Sequence, residues 1–262
     1  MKKHISGLTL IELLLAMVLG LIVLSGVIYV YLAVIVSTSD TLKSSKLNSQ
    51  LMTIMSVVSS DIRRAGYWDN SVDLLPPTQN PFNIEDDSLL VITKSMSDNT
   101  AITENTDESG TCILYSYDRN EDGDVDDVGD LNEYYGVRLN NGAVQIRANG
   151  SVTDSDNCSN GTWQTISDTD LYEITTLTFN PKGSACVNST EPNGEDSPND
   201  ADSTIDDDGE ADCYSVAPET DQITVETREI LISLAGQLKS DSEVKAKISQ
   251  TVRVRNDVVR IR

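Results

Sequence analysis

Residues 8–36 read LTLIELLLAMVLGLIVLSGVIYVYLAVIV, apolar throughout except for one charged side chain, Glu12. The last 24 of them, residues 13–36, carry no charge at all. As a helix they would span ~36 Å at ~1.5 Å per residue, enough to cross a hydrocarbon core of ~30 Å. A cleaved secretory signal has an apolar core of roughly 7–15 residues. The run here is about twice that length, which predicts an anchor that stays with the chain. Lys2 and Lys3 stand just before it. That basic pair predicts a leader held on the cytoplasmic side and a remainder carried across the membrane. Glu12 needs a reason. A carboxylate near the start of a membrane helix costs roughly 2–3 kcal/mol, so it either serves a function or snorkels to the interface.

Beyond the apolar run, Leu47, Leu51, Ile54, Met55, Val58 and Ile62 recur at steps of three and four. That spacing predicts a continuing helix with one apolar face, over residues 37–66. Gly66 follows Arg63 and Arg64. Glycine suits a left-handed C-cap and the arginines suit the negative end of the helix dipole, so the helix should end there. The pattern then changes to short β-branched or alternating runs at residues 89–93, 112–117, 135–139 and 143–147. Asn140-Asn141-Gly142, between the last two, is a hairpin signal. Residues 171–179, 222–234 and 244–255 read as three further strands, with Ser240-Asp241-Ser242 as the turn joining the last pair. The expected fold class is α+β. A long N-terminal helix should pack on an antiparallel β-sheet head, residues 67–262, with disulfide-bridged loops.

Charge and histidine count exclude whole classes of function. The 262 residues hold 19 Lys+Arg against 42 Asp+Glu, a net charge of -23. Nucleic acid is therefore not an expected partner, since phosphate binding depends on Lys and Arg releasing counterions. The single histidine, His4, falls in the leader. Without it there is no Ser-His-Asp triad, no Cys-His pair and no His-ligated zinc. No G-x-x-x-x-G-K-[ST] or G-x-G-x-x-G sequence occurs. The chain reads as a non-enzyme.

Two other compositions carry information. Cys112, Cys158, Cys186 and Cys213 make an even count, which in an exported head reads as two disulfides. Of the three connectivities, Cys112–Cys158 with Cys186–Cys213 is preferred because each bridge then encloses one acidic, loop-rich section. Residues 118–127, DRNEDGDVDD, match the opening of a calcium loop. Asp118, Asn120 and Asp122 take positions 1, 3 and 5, Gly123 makes the turn at 6, and Asp124 adds an oxygen. Position 12 is Gly129, and Asp130 comes one residue late as the closing ligand. A calcium loop and a solvated acidic turn both fit. Residues 191–212 hold ten acids and no base, but the ligand spacing is irregular, which favours a mobile loop over a metal site.

Gly7 followed by Leu8-Thr9-Leu10-Ile11-Glu12-Leu13 resembles the class III signal of type IV prepilins and pseudopilins. The resemblance implies a leader of residues 1–7, cut after Gly7 by a prepilin peptidase that also methylates the new amine of Leu8. It further implies that Glu12 guides assembly, and that residues 8–36 form the transmembrane and assembly half of the helix. Leu8 stands where the family usually has phenylalanine. A physical reason supports the rule. The new amine and the Glu12 carboxylate of a neighbouring subunit neutralise each other where unpaired charge is expensive. Ser60-Asp61-Ile62-Arg63-Arg64-Ala65-Gly66-Tyr67-Trp68 and Thr251-Val252-Arg253-Val254-Arg255-Asn256 are similar to segments of the PilW family of minor type IV pilins. The J-type minor pseudopilins are related in architecture. The implied function is a minor pilin that joins a tip or priming complex and promotes pilus assembly. The alternatives are a minor pseudopilin of a type II secretion system and an adhesive or ligand-binding tip module. Implied partners are other minor pilins and the major pilin through the N-terminal helix, the prepilin peptidase, and a large tip adhesin. The implied location is the inner membrane, single-pass with a periplasmic head, and then the pilus or cell surface.

Overall fold

The computed structural model describes residues 9–69, 75–84, 89–125, 133–150, 156–189, 212–215 and 217–262. The chain divides into two compact units, Met1–Lys46 and Leu47–Arg262. The first consists, among its described residues, of Thr9 and helix α1 (Leu10–Ile62) as far as Lys46, with the whole of the apolar run. None of its most apolar window is buried within the protein, and among the described residues it is the one helix long and apolar enough to cross a membrane.

The second unit begins where the helix becomes two-faced. Leu47, Leu51, Ile54, Met55, Val58 and Ile62 are all buried, as their spacing predicts. They pack into one core with Ile113, Val137, Ile174, Phe179, Ile232 and Val252. Burying side chains of this size stabilises by roughly 1.5–3 kcal/mol each, which ties the helix to the sheets. After Ile62 the chain tightens into a turn, with the Arg64 and Ala65 amides donating to Asp61 and Ile62 carbonyls at 2.9 and 3.1 Å. Gly66 ends it at φ 70°, and a side chain there would collide with Asn83. A short 3-10 turn (Pro77–Gln79) and helix α2 (Pro81–Ile84) follow.

The strands form three antiparallel sheets. The first is a meander in chain order: β1 (Val91–Thr93), β2 (Cys112–Ser116), β3 (Tyr134–Asn140), β4 (Ala143–Asn149) and β5 (Thr162–Thr165). Asn140 pairs with Ala143, and Asn141 and Gly142 lie at φ 48° and 76°. Two left-handed residues give the primed turn whose twist matches the strands. The second sheet places β9 (Glu229–Leu238) between β6 (Tyr172–Asn180) and β10 (Asp241–Arg253). The third places β8 (Ile223–Thr227) between β7 (Ala185–Asn188) and β11 (Val258–Ile261). Helix and sheets together make the expected α+β class. Cys112 is bonded to Cys158 and Cys186 to Cys213.

Three expectations need correction. Residues 222–234, read as one strand, are two strands in different sheets, parted at Arg228. The turn expected at Ser240-Asp241-Ser242 closes earlier, at Lys239 and Ser240, and Asp241 already pairs with Leu238. The chain also does not finish with the strand over 244–255, because β11 follows it and pairs with β8. The acidic stretch 190–211 and the segment 126–132, with Gly129 and Asp130, lie outside the described residues, as do Gly7 and Leu8.

Candidate functional site

At the N-terminal end, the first described residue takes part in the helix start. The Thr9 amide and hydroxyl donate to Glu12 Oε2 at 3.0 and 2.9 Å. The Glu12 amide reaches back to Thr9 Oγ1 at 3.4 Å and to the Thr9 carbonyl at 3.1 Å. This is a reciprocal capping box, with Thr9 as N-cap and Glu12 at the third helical position. The signal for it in the sequence is the T-x-x-E spacing of Thr9 and Glu12. The cap lowers the cost of holding Glu12 at this depth, because the positive helix terminus favours a carboxylate there. It leaves Oε1 free of this arrangement.

The acidic loop is wired to the segment that follows the long helix. The Asp118 amide donates to the Tyr67 carbonyl at 2.9 Å, and the Trp68 indole to the Gly123 carbonyl at 3.1 Å. Asp118 is buried and accepts three backbone N–H groups: Glu121 at 2.6 Å, Asp69 at 3.0 Å and Gly123 at 3.2 Å. Gly123 adopts φ 86°, as the turn position of such a loop requires. Asp122 Oδ1 accepts the Asp124 amide at 3.0 Å, and the Asn120 amide group donates to Asp122 Oδ2.

The third carboxylate is one the sequence did not single out. Asp118, Asp122 and Glu133 each bring an oxygen to within 4.8 Å of the others. Glu133 lies four residues beyond position 12, immediately before β3, and its Oε1 accepts the Arg119 amide at 2.5 Å and that of Asn120 at 3.4 Å. Only its place as the last acid before the Tyr134-Tyr135 strand could have signalled it. Burial pushes its carboxyl up to about 7, and the Asp118 and Asp122 charges push the same way against the two amides. Asp124 is outside this group of three, and Asp130 is outside the described residues.

Two further networks are structural. Asp61, in the last turn of α1, accepts the Tyr115 hydroxyl at 2.5 Å and that of Tyr117 at 3.0 Å, while the Arg64 guanidinium lies 5.2 Å from the Tyr117 ring centre. The Arg255 amide donates to the Arg63 carbonyl at 3.1 Å, and the Asn256 amide group to that of Ala65 at 3.1 Å. The two segments that carried the PilW resemblance thus meet at the end of the helix. Elsewhere, buried Glu226 pairs with Arg228 at 2.8 Å, with Arg262 at 2.5 Å and with Arg260, and Arg228 also pairs with Glu104. Each charge in this group meets an opposed one, although Glu104 Oε2 and Arg228 Nε have no hydrogen-bond partner.

Residues 2–28 match the prokaryotic N-terminal methylation motif. Residues 40–254, most of the chain, match prepilin peptidase-dependent protein B. The chain belongs to that family. No curated protein and no solved structure gives a significant match. Membership supports processing by a prepilin peptidase and makes the chain a type IV pilin-like protein, anchored in the membrane by α1 before assembly. The family is a structural, pilin-type one. The PilW likeness remains a likeness of two segments.

Proposed function

We propose that the chain is a minor type IV pilin, stored in the inner membrane with its head in the periplasm and then built into a pilus at a tip or priming complex. The observation that carries this reading is Glu12, held by Thr9 at the start of a helix that bears no further charge until Asp40. A carboxylate kept in that position is of use to a subunit whose neighbour offers a cation at the same depth. After cleavage behind Gly7, that cation is the methylated amine of Leu8. The minor role is supported by the segments 60–68 and 251–256, which resemble those of minor pilins.

Mass spectrometry of the membrane fraction tests processing: the mature chain should begin with N-methyl-Leu8. An intact Met1 would remove the prepilin reading. Deleting the gene tests the role. Few or no pili, with secretion unaffected, is the expected result. Normal piliation with a block in secretion would transfer the chain to the pseudopilins.

A further inference from the structure

The loop at Asp118 contains a feature that an acidic turn in water does not explain. Glu133 is only 2% exposed, and its Oε2 has no hydrogen-bond partner. An orphaned carboxylate oxygen in a buried position is costly unless a cation meets it. The carboxylate that carries it is one of the three whose oxygens come within 4.8 Å of one another. None of the ion pairs among the described residues involves Asp118, Asp122 or Glu133. Three carboxylates are thus gathered, two of them buried, with backbone N–H groups and, at Asp122, the Asn120 side-chain amide as their described partners.

We infer that Asp118, Asp122 and Glu133 bind a calcium ion, and that Glu133 closes the site which the sequence pattern leaves open at Gly129. The separation is right for one ion. Oxygens bound at ~2.4 Å on opposite sides of a calcium ion are ~4.8 Å apart, so three oxygens within that limit can share it. The donor set is hard oxygen throughout, which suits calcium and not a soft or imidazole-seeking metal. Each carboxylate oxygen has more than one lone pair, so the N–H groups that orient Asp118 do not use up its capacity. The ion would join the loop that follows β2 to the start of β3 through Glu133. It would also fix the loop against Trp68, which is held at the end of the long helix.

The full-length protein in detergent micelles provides the test, with terbium as the probe and Trp68 as the light-absorbing donor. Terbium emission excited through tryptophan should appear, should be lost in Trp68→Phe, and should be displaced by calcium with a dissociation constant of ~10⁻⁴–10⁻³ M. Glu133→Gln keeps the oxygen that accepts the Arg119 amide but loses the charge, and should weaken calcium about tenfold or more. In the wild type, calcium should also raise the melting temperature. Emission that persists unchanged at about 10 mM calcium, or a Glu133→Gln protein that binds as tightly as wild type, overturns the assignment. So does a melting temperature that calcium and magnesium raise equally, or that neither raises.

Discussion

Glu12 has two tasks that a single substitution can separate. Its carboxylate caps its own helix through Thr9, and in the proposed function its charge pairs with the amine of another subunit. Glu12→Ala removes both. Glu12→Gln keeps an oxygen able to accept the Thr9 amide and removes only the charge. Both forms should insert normally, with the alanine form giving up roughly 0.5–2 kcal/mol of capping. Both should enter filaments poorly, because pairing with an ammonium needs the charge and not the cap. Quantifying each variant in sheared filaments against the membrane pool checks this. A glutamine form that is incorporated like wild type, beside an alanine form that is not, would reduce Glu12 to a cap. At this scale Glu12 was legible because a charge in an apolar run is visible to inspection. Glu133 was not, because its distinction is an orphaned oxygen, and burial is a property of the folded chain.

At the scale of elements, the end of α1 is where a local rule and a tertiary contact coincide. Gly66 is left-handed at φ 70°, and an added Cβ would sit 2.5 Å from the Asn83 side-chain oxygen. Gly66→Ala should therefore cost more than the roughly 1–2 kcal/mol of a left-handed alanine, since buried Asn83 must also move. Denaturant unfolding of the full chain in micelles would measure it, and an unchanged midpoint would show that the turn relaxes freely. The glycine, the helix stripe and the hairpin at Asn141-Gly142 were all readable, because each depends on neighbours within a few residues. The break at Arg228 was not. Thr224, Glu226, Arg228, Ile230 and Ile232 are all buried, so the alternation of period two runs unbroken from one sheet into the next. Only the identity of the partners changes there, β7 and β11 before it and β6 and β10 after. Strand β5 escaped for the opposite reason: it is mostly exposed and Thr-rich, and its pairing with β4 supplies what its composition does not.

For the molecule as a whole, the tyrosines offer a measure of how firmly the head is closed. Of the 9 tyrosines, exposed Tyr67 and the less exposed Tyr115, Tyr117, Tyr135 and Tyr214 have their hydroxyls raised above the ordinary range, first by burial, and for Tyr115 and Tyr117 next by the Asp61 carboxylate; the last four report on the head's interior. A phenol raised in the folded state and ordinary in the unfolded one binds its proton more tightly when folded. Its stabilising contribution is complete below pH ~10 and declines as pH rises past that value. Phenolate absorbance from these four should appear together with the loss of sheet circular dichroism, and Tyr117→Phe should remove one phenolate from that step. Ionisation of these four near pH ~10 in a head that keeps its sheet signal would refute the closure. The division of labour between sequence and fold follows from range. The sequence by itself determined the apolar run with Glu12 in it, the methylation motif that precedes and enters that run, the stripe from Leu47 to Ile62 and the change from helical to strand periodicity. These rest on hydropathy and on spacings of a few residues, which survive in a one-dimensional string. Only the tertiary structure decided that residues 60–68 and 251–256 meet, that Glu226 pairs with three arginines, and that Glu133 stands with Asp118 and Asp122. Each of those joins groups distant in the chain or depends on exclusion of water, and a string of residues records neither.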